Sequence, residues 1–155
     1  MPNHARSRLI FHGSVVFLLG MLAGFPFAFV LLAEVNGTDT WIPGTVRAWR
    51  MAHLEGALNG MLLILVAAAS GHLPIGAKGE KVIVYGLVLS AWGNIIASIN
   101  SALTGGRGLE FNGLTANSLT YVLFMAAIFA VLAAFVVLAE AAWRDTGSSA
   151  GKGDS

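Results

Sequence analysis

The residues best suited to chemistry lie in residues 49–66, at the head of an otherwise apolar helical segment. At about 100° per residue, His53 shares one helical face with Gly56 and Gly60. An imidazole beside a strip of small side chains suits a flat metal macrocycle, because the iron takes a ring nitrogen and the macrocycle edge needs room. The same glycines are also typical of a small-xxx-small contact between membrane helices, with His53 and Glu55 in the headgroup region.

Asn59 and a polar stripe on the third apolar segment add hydrogen-bonding groups. Asn59 lies on a different helical face from His53. The stripe consists of Ser90, Asn94, Ser98 and Ser101. Residues at this spacing share one helical face, which in a membrane points at the bundle interior, a cavity or another subunit. Interhelical hydrogen bonding is the simpler explanation for the serines, whereas an asparagine costs more to bury unpaired.

The composition places these groups in a membrane protein. The chain has 155 residues, of which 56% are apolar and 11% are charged, and its mean hydropathy is +0.75. These values are far from those of soluble domains. The net charge of +1, without a basic run, argues against a nucleic-acid partner. The absence of cysteine excludes disulfides, thiolate catalysis, iron–sulfur clusters and thiolate-ligated haem.

Four apolar segments are long enough to cross a bilayer as helices, since about 20 residues span its hydrocarbon core. They cover about residues 9–33, 49–70, 82–103 and 118–143. The segments predict an all-α fold, an integral membrane four-helix bundle that forms a single domain over residues 1–143. Residues 144–155 are rich in Gly, Ser and charge, which predicts a flexible tail.

The basic residues predict the orientation of this bundle. Four helices put both termini on one side, where six of the nine Lys and Arg residues lie. By the positive-inside rule both termini are cytoplasmic, in a multi-pass protein of the bacterial inner membrane. His12 and His72 then lie near the cytoplasmic side and His53 near the opposite side, too far apart to share one iron across a core about 30 Å thick. An iron held by His53 alone keeps one face open for a substrate.

Several short motifs, taken together, resemble those of the styrene oxide isomerases. They are Pro43-Gly44, Trp49, Ala52-His53, Ala57-Leu58-Asn59-Gly60-Met61, Trp92, Asn94 and Arg107-Gly108-Leu109 with Phe111. The resemblance implies a four-helix membrane protein that forms a homotrimer and carries haem b at the subunit interface. It implies that the ferric iron acts as a Lewis acid. A small hydrophobic aryl epoxide opens, a 1,2-shift follows, and an aldehyde or ketone leaves.

The resemblance also assigns the site. His53 matches the haem ligand of the family, and Asn59 matches its active-site asparagine. The antiparallel third helix brings Asn94 and Ser98 to roughly the depth of these two residues. Because His53 and Asn59 face different ways around one helix, a site that uses both is more easily built from two subunits than from one. The predicted catalytic residues are Asn59, Ser90, Asn94 and Ser98, and the predicted cofactor-binding residues are His53, Gly56 and Gly60, with His53 as the metal ligand.

Three positions depart from the family pattern. Ser90 and Ser98 stand where the family has an aspartate and a tyrosine, so we expect a larger or differently polarised pocket. Glu55 stands where the family has a small residue. Its carboxyl group either supplies a proton or holds a cation at the site, or is a solvated interfacial group, which is the simpler expectation.

Two other functions fit parts of the pattern. A non-catalytic membrane haem protein, acting as a sensor, carrier or electron-transfer module, would keep the haem and show no epoxide turnover. A haem-free membrane scaffold would use the glycines and serines only to pack helices. The epoxide isomerase is the hypothesis that uses His53, Asn59 and the polar stripe together.

Overall fold

The computed structural model describes residues 1–150, with side chains up to residue 146. Its four helices are α1 (Asn3–Asn36), α2 (Val46–Ala69), α3 (Ala77–Thr104) and α4 (Ala116–Ala150). No strand occurs within these described residues. Each helix contains a stretch long and apolar enough to cross a membrane. The predicted all-α membrane bundle is confirmed, and the chain is a multi-pass membrane protein.

The helices extend beyond their predicted bounds at most ends. The apolar run predicts a start at Leu9 for α1, but the helix begins at Asn3. At the other end of the chain, α4 continues through residues 144–150, which were predicted to belong to the tail. Residues 151–155 lie outside the described part. Hydropathy marks the section of a helix that fits the bilayer core, whereas polar turns can continue the same helix beyond it.

Helices α1 and α2 approach each other through glycines. A Cβ atom on Gly56 would collide with the backbone of Gly20, and one on Gly60 would lie 2.6 Å from the carbonyl oxygen of Gly13. Small residues allow such close backbone packing, which membrane helices use in place of hydrophobic association. Helices α3 and α4 form a second closely packed pair, and α2 and α3 join the two pairs.

The amino terminus stabilises the end of α2. The terminal amine of Met1 donates to the carbonyl of Ser70 at 3.0 Å, and Arg6 Nε donates to the carbonyl of Ala67 at 2.8 Å. The last carbonyls of a helix lack internal partners and carry partial negative charge, so cations stabilise them. These contacts fix α1 antiparallel to α2.

The loop before α2 positions the head of that helix. Trp49 is buried, and its Nε1 donates to the carbonyl of Pro43 at 2.7 Å. Gly44 has a φ of 93°, and a Cβ atom there would collide with the carbonyl oxygen of Ala102 on α3. Only glycine fits this conformation and this approach. The loop is therefore fastened over the end of α3, and the first turns of α2 are held in place.

The outer surface of the bundle is apolar. Helix α4 buries only 11% of its most hydrophobic stretch, and its exposed side chains include Phe129, Leu132 and Val136. Lipid can cover such a surface without cost. The core instead lies between α1, α2 and α3, where Leu9 and Leu87 are almost fully buried.

Candidate active site

His53 lies in the second turn of α2 and faces α1. Its Nδ1 atom is 2.9 Å from the carbonyl oxygen of Gly20. Because a carbonyl oxygen can only accept a hydrogen bond, the hydrogen of the neutral ring lies on Nδ1. The lone pair then lies on Nε2, which makes no hydrogen bond with any residue that the structure describes. His53 is partly exposed, so this nitrogen is suited to bind a metal.

Two residues of α1 set the plane of the His53 ring. Phe27 lies nearly parallel to it, with ring centroids 6.2 Å apart and an interplanar angle of 18°. On Gly24, a Cβ atom would lie 3.1 Å from His53 Nδ1. Histidines that ligate metals characteristically donate their other N–H to a carbonyl or carboxylate, which fixes the tautomer and raises ligand basicity. The surroundings of His53 therefore fit an axial ligand of a haem iron.

The hydrogen bonds of His12 make it unsuited to the same role. Trp92 Nε1 donates to His12 Nδ1 at 3.3 Å, which uses the lone pair of that nitrogen. In the neutral ring the hydrogen then lies on Nε2, so His12 has no free lone pair. His72 lies in the turn after α2, beyond the apolar part of the bundle.

Within the described residues there is no group of three or more His, Cys, Asp and Glu side chains that could hold a metal ion. A haem needs no such group, because its pyrrole nitrogens supply the equatorial ligands and one histidine suffices as the axial ligand. The donors among the described residues are therefore compatible with a haem held by His53.

The glycines next to His53 do not form the expected groove. Gly56 and Gly60 were predicted to leave room for a haem edge, but both are buried against α1. The backbone of α1 at Gly13 and Gly20 fills the space that their missing side chains leave. The structure thus corrects the groove prediction in favour of the small-xxx-small helix contact.

Asn59 belongs to a hydrogen-bonded group between α2 and α3. Its Nδ2 atom donates to the backbone carbonyl of Glu55 at 2.9 Å and to Glu55 Oε2 at 2.7 Å. Its Oδ1 atom accepts from Asn94 Nδ2 at 3.3 Å. All three residues are partly exposed. The structure therefore brings Asn59 and Asn94 together, as expected from their depth, and adds Glu55 to them.

His53 and Asn59 contact different neighbours. The polar contact of His53 is with Gly20 of α1, whereas Asn59 bonds to Asn94 of α3. The prediction that the two residues face different ways around α2 is confirmed. The chain thus has two candidate half-sites. We call the first, His53 with Gly20, Gly24 and Phe27, the imidazole flank, and the second, Glu55 with Asn59 and Asn94, the amide flank.

Ser90 and Ser98 of the polar stripe do not line an accessible pocket. Ser90 and Ser98 are only 2% and 0% exposed, and neither hydroxyl has a hydrogen-bond partner among the described residues. This corrects their predicted place beside a substrate, because the rest of the chain closes off both hydroxyls. Only Asn94 of the predicted catalytic residues on α3 joins Asn59.

The α1 residues of the imidazole flank escaped the sequence analysis. Gly20 and Gly24 are four residues apart on an apolar helix, the same spacing as Gly56 and Gly60. Matching pairs of small residues on two segments indicate that the segments pack together. That signal could have placed α1 against the His53 face of α2. The hydrogen bond to the Gly20 carbonyl cannot be predicted from the sequence, because every residue has a backbone carbonyl.

Comparisons with known proteins match this chain to a family model and to a curated relative. The family model for styrene oxide isomerase matches residues 5–143. A styrene-oxide isomerase of Pseudomonas fluorescens is 33% identical to this chain over 70 residues. This alignment covers 45% of the chain and spans 41% of the length of that relative. With nearly its whole membrane bundle matched by the family model, the chain belongs to the styrene oxide isomerase family.

Proposed function

We propose that this chain is a membrane-bound, haem-dependent isomerase that converts small hydrophobic aryl epoxides to aldehydes or ketones. The observation that supports it most is the state of His53. Its Nδ1 is fixed by the Gly20 carbonyl and its Nε2 is left without a partner, at the position that matches the haem ligand of the family. The amide flank supplies hydrogen bonds to a substrate oxygen.

His53 would hold the haem b iron through Nε2, with Phe27 keeping the imidazole plane fixed. The Nδ1 hydrogen bond to Gly20 would raise the electron density that Nε2 offers to the iron. A ferric haem supplies Lewis-acid chemistry for an epoxide oxygen. Because His53 would be the one ligand that this protein gives to the iron, the haem could supply this chemistry to a bound substrate.

The chain's own residues would act on the oxygen and on the reacting carbon. The reaction breaks the C–O bond at the carbon that better carries positive charge, a hydride moves to that carbon, and a carbonyl group forms. The Asn59–Asn94 pair would stabilise negative charge that develops on the oxygen. Apolar side chains on the exposed face of α2, such as Leu58 and Met61, would keep water away from the cationic carbon, so that the product is a carbonyl and not a diol.

The two flanks support an assembly of several chains. They lie on different sides of α2, so a site that uses both would join the imidazole flank of one subunit to the amide flank of the next. Contacts between two different surfaces of one chain are head-to-tail, and such contacts form a ring when the rotation between neighbouring subunits closes. The family resemblance favours a ring of three, which would be a homotrimer with haem at each subunit interface. A bilayer would deliver hydrophobic epoxides to this interface, and the basic residues favour an inner membrane location with cytoplasmic termini.

The visible spectrum of the detergent-purified protein tests the proposal. The spectrum is recorded before and after dithionite, an aryl epoxide is added, and the product is identified by gas chromatography. A Soret band together with a carbonyl product is the expected result. A Soret band without any product would favour the non-catalytic membrane haem protein. A protein from haem-replete cells that shows no Soret band would contradict the proposal.

A further inference from the structure

The hydrogen bonds of Asn59 leave it without a free donor. An asparagine side chain carries two N–H groups and one acceptor oxygen. Both N–H groups of Asn59 are directed to Glu55, one to its backbone carbonyl and one to its carboxylate. The orientation of the amide is fixed, because a carbonyl oxygen can only accept. Asn59 therefore has only its Oδ1 atom left to offer.

Asn94 has the donor that Asn59 lacks. One N–H of Asn94 is bound to Asn59 Oδ1 at 3.3 Å, and no residue in the described chain binds the second. Asn94 is partly exposed, unlike the closed-off hydroxyls of Ser90 and Ser98. An epoxide oxygen can only accept a hydrogen bond, so a protein group must donate to it. On the amide flank, the accessible group with a free donor is Asn94.

We propose that Asn94 donates the hydrogen bond to the epoxide oxygen, and that Glu55 is a positioning residue that acts through Asn59. This inference rests on the proposed function and assigns roles within the same site. Glu55 holds Asn59 in one orientation, Asn59 Oδ1 holds Asn94, and Asn94 presents its second N–H to the substrate. Each link of the chain is a hydrogen bond of 2.7 to 3.3 Å.

The presence of Glu55 explains why the donor is Asn94 and not Asn59, the residue that matches the active-site asparagine of the family. With a small residue at position 55, no carboxylate would bind the second N–H of Asn59, and that N–H would remain free for a substrate. In this chain the carboxylate of Glu55 accepts a hydrogen bond from that N–H. The donor role then passes along the hydrogen-bond chain to Asn94.

The first test uses Asn94→Leu, which removes both donors without adding a charge. We expect kcat for the aryl epoxide to fall by about 100-fold, the usual cost of losing one donor to a developing oxyanion. The Soret absorbance per chain should not change, since Asn94 does not contact His53. Asn100→Leu is the control, because Asn100 is on the same helix but bonds to Ala116 and Thr120. Asn94→Ala replaces Asn94→Leu if the leucine variant does not fold.

The second test separates positioning from a general structural role. Glu55→Ala should lower kcat by about tenfold, since the Asn59 amide loses the partner that fixes it and small misplacements of a reacting geometry are costly. The N–H that this change frees belongs to an amide that is no longer held in place, so it does not replace the Asn94 donor. Glu55→Gln should restore most of kcat, because its amide oxygen still accepts from Asn59. In an Asn59→Ala background, Glu55→Ala should cause no further loss of kcat, as expected for two residues that act through the same series of hydrogen bonds.

The outcomes distinguish the inference from the function on which it rests. Wild-type kcat in both Asn94 variants, or an equal loss from Glu55→Ala in both backgrounds, would overturn the inference while the isomerase stands. A wild-type protein that binds haem but forms no carbonyl product would overturn the proposed function, and the inference with it.

Discussion

A histidine can bind a metal only through a ring nitrogen whose lone pair is free. His53 donates from Nδ1 to the Gly20 carbonyl, which leaves the Nε2 lone pair free. In His12 the Nδ1 lone pair accepts from Trp92. Of these two imidazoles in the apolar helices, His53 is the one with a lone pair available. A contact between a backbone carbonyl and a ring nitrogen thus separates two residues that look alike in sequence.

Replacement of His53 should abolish haem binding. In His53→Ala the axial ligand is gone, so the Soret absorbance per chain should fall to background. His12→Ala and His72→Ala should keep the wild-type ratio, because neither residue offers a lone pair at the imidazole flank. The ratio of Soret to protein absorbance after purification measures this directly. Loss of the haem from either control variant would mean that the single-ligand assignment is wrong.

We expect Gly24 to affect haem affinity by leaving room for the His53 ring. In Gly24→Ala the new Cβ atom would lie 3.1 Å from Nδ1, and the close α1–α2 packing leaves the ring as the part that must move. Disturbing the Nδ1 hydrogen bond should weaken haem affinity by about tenfold, as is typical for partners of a metal-ligating histidine. Gly76→Ala is the matched control, because a Cβ atom there meets nothing within 4 Å. Equal haem affinities in a titration of the two apo variants would contradict this role for Gly24.

At the scale of the elements, the α1–α2 contact holds the imidazole flank together. Gly56 and Gly60 allow the two backbones to touch, and this contact brings the Gly20 carbonyl to the His53 ring. The glycines therefore serve the site indirectly, by the approach of α1. Haem binding and helix packing should for this reason respond together to changes at this contact.

A methyl group at this contact should destabilise the bundle. In Gly56→Ala the new Cβ atom meets the backbone of Gly20, which cannot rotate away as a side chain could. Overpacking of this kind typically costs about 1 to 3 kcal/mol. Thermal unfolding in detergent, followed by circular dichroism, should show a lower midpoint for Gly56→Ala than for wild type. An unchanged midpoint would contradict direct backbone contact between α1 and α2 at Gly56.

The sequence predicts which segments are helices and which faces are polar. It predicts less well which helices pack against those faces. Hydropathy locates all four helices, and periodicity separates His53 from Asn59 on α2. It does not reveal that α1 covers the glycine strip, nor that Ser90 and Ser98 point into closed space. In a membrane both lipid and protein core are apolar, so a helix's own pattern does not say which face meets another helix. The Glu55–Asn59 bonds were within reach, since the two residues are four apart, but Asn94 joins them only through tertiary packing.

At the scale of the whole molecule, two incomplete flanks in each chain favour a ring of subunits. The imidazole flank and the amide flank are both partly exposed, and each offers what the other lacks. The chain in detergent should therefore have the mass of three subunits, as measured by light scattering with correction for bound detergent. A monomer that isomerises the epoxide at the full rate would contradict a site shared between chains.

Complementation between two inactive variants tests the shared site most directly. His53→Ala lacks the iron ligand and Asn94→Leu lacks the donor of the amide flank, so each alone should form almost no carbonyl product. Co-expressed in equal amounts with different tags and purified through both, they should recover about a third of the wild-type activity per interface, because each mixed ring of three has one interface that joins the two intact flanks. The Soret absorbance per interface should be about half that of wild type, because about half of the subunits keep His53. Mixed oligomers that contain both tags but are no more active than either variant alone would contradict a site built from two subunits.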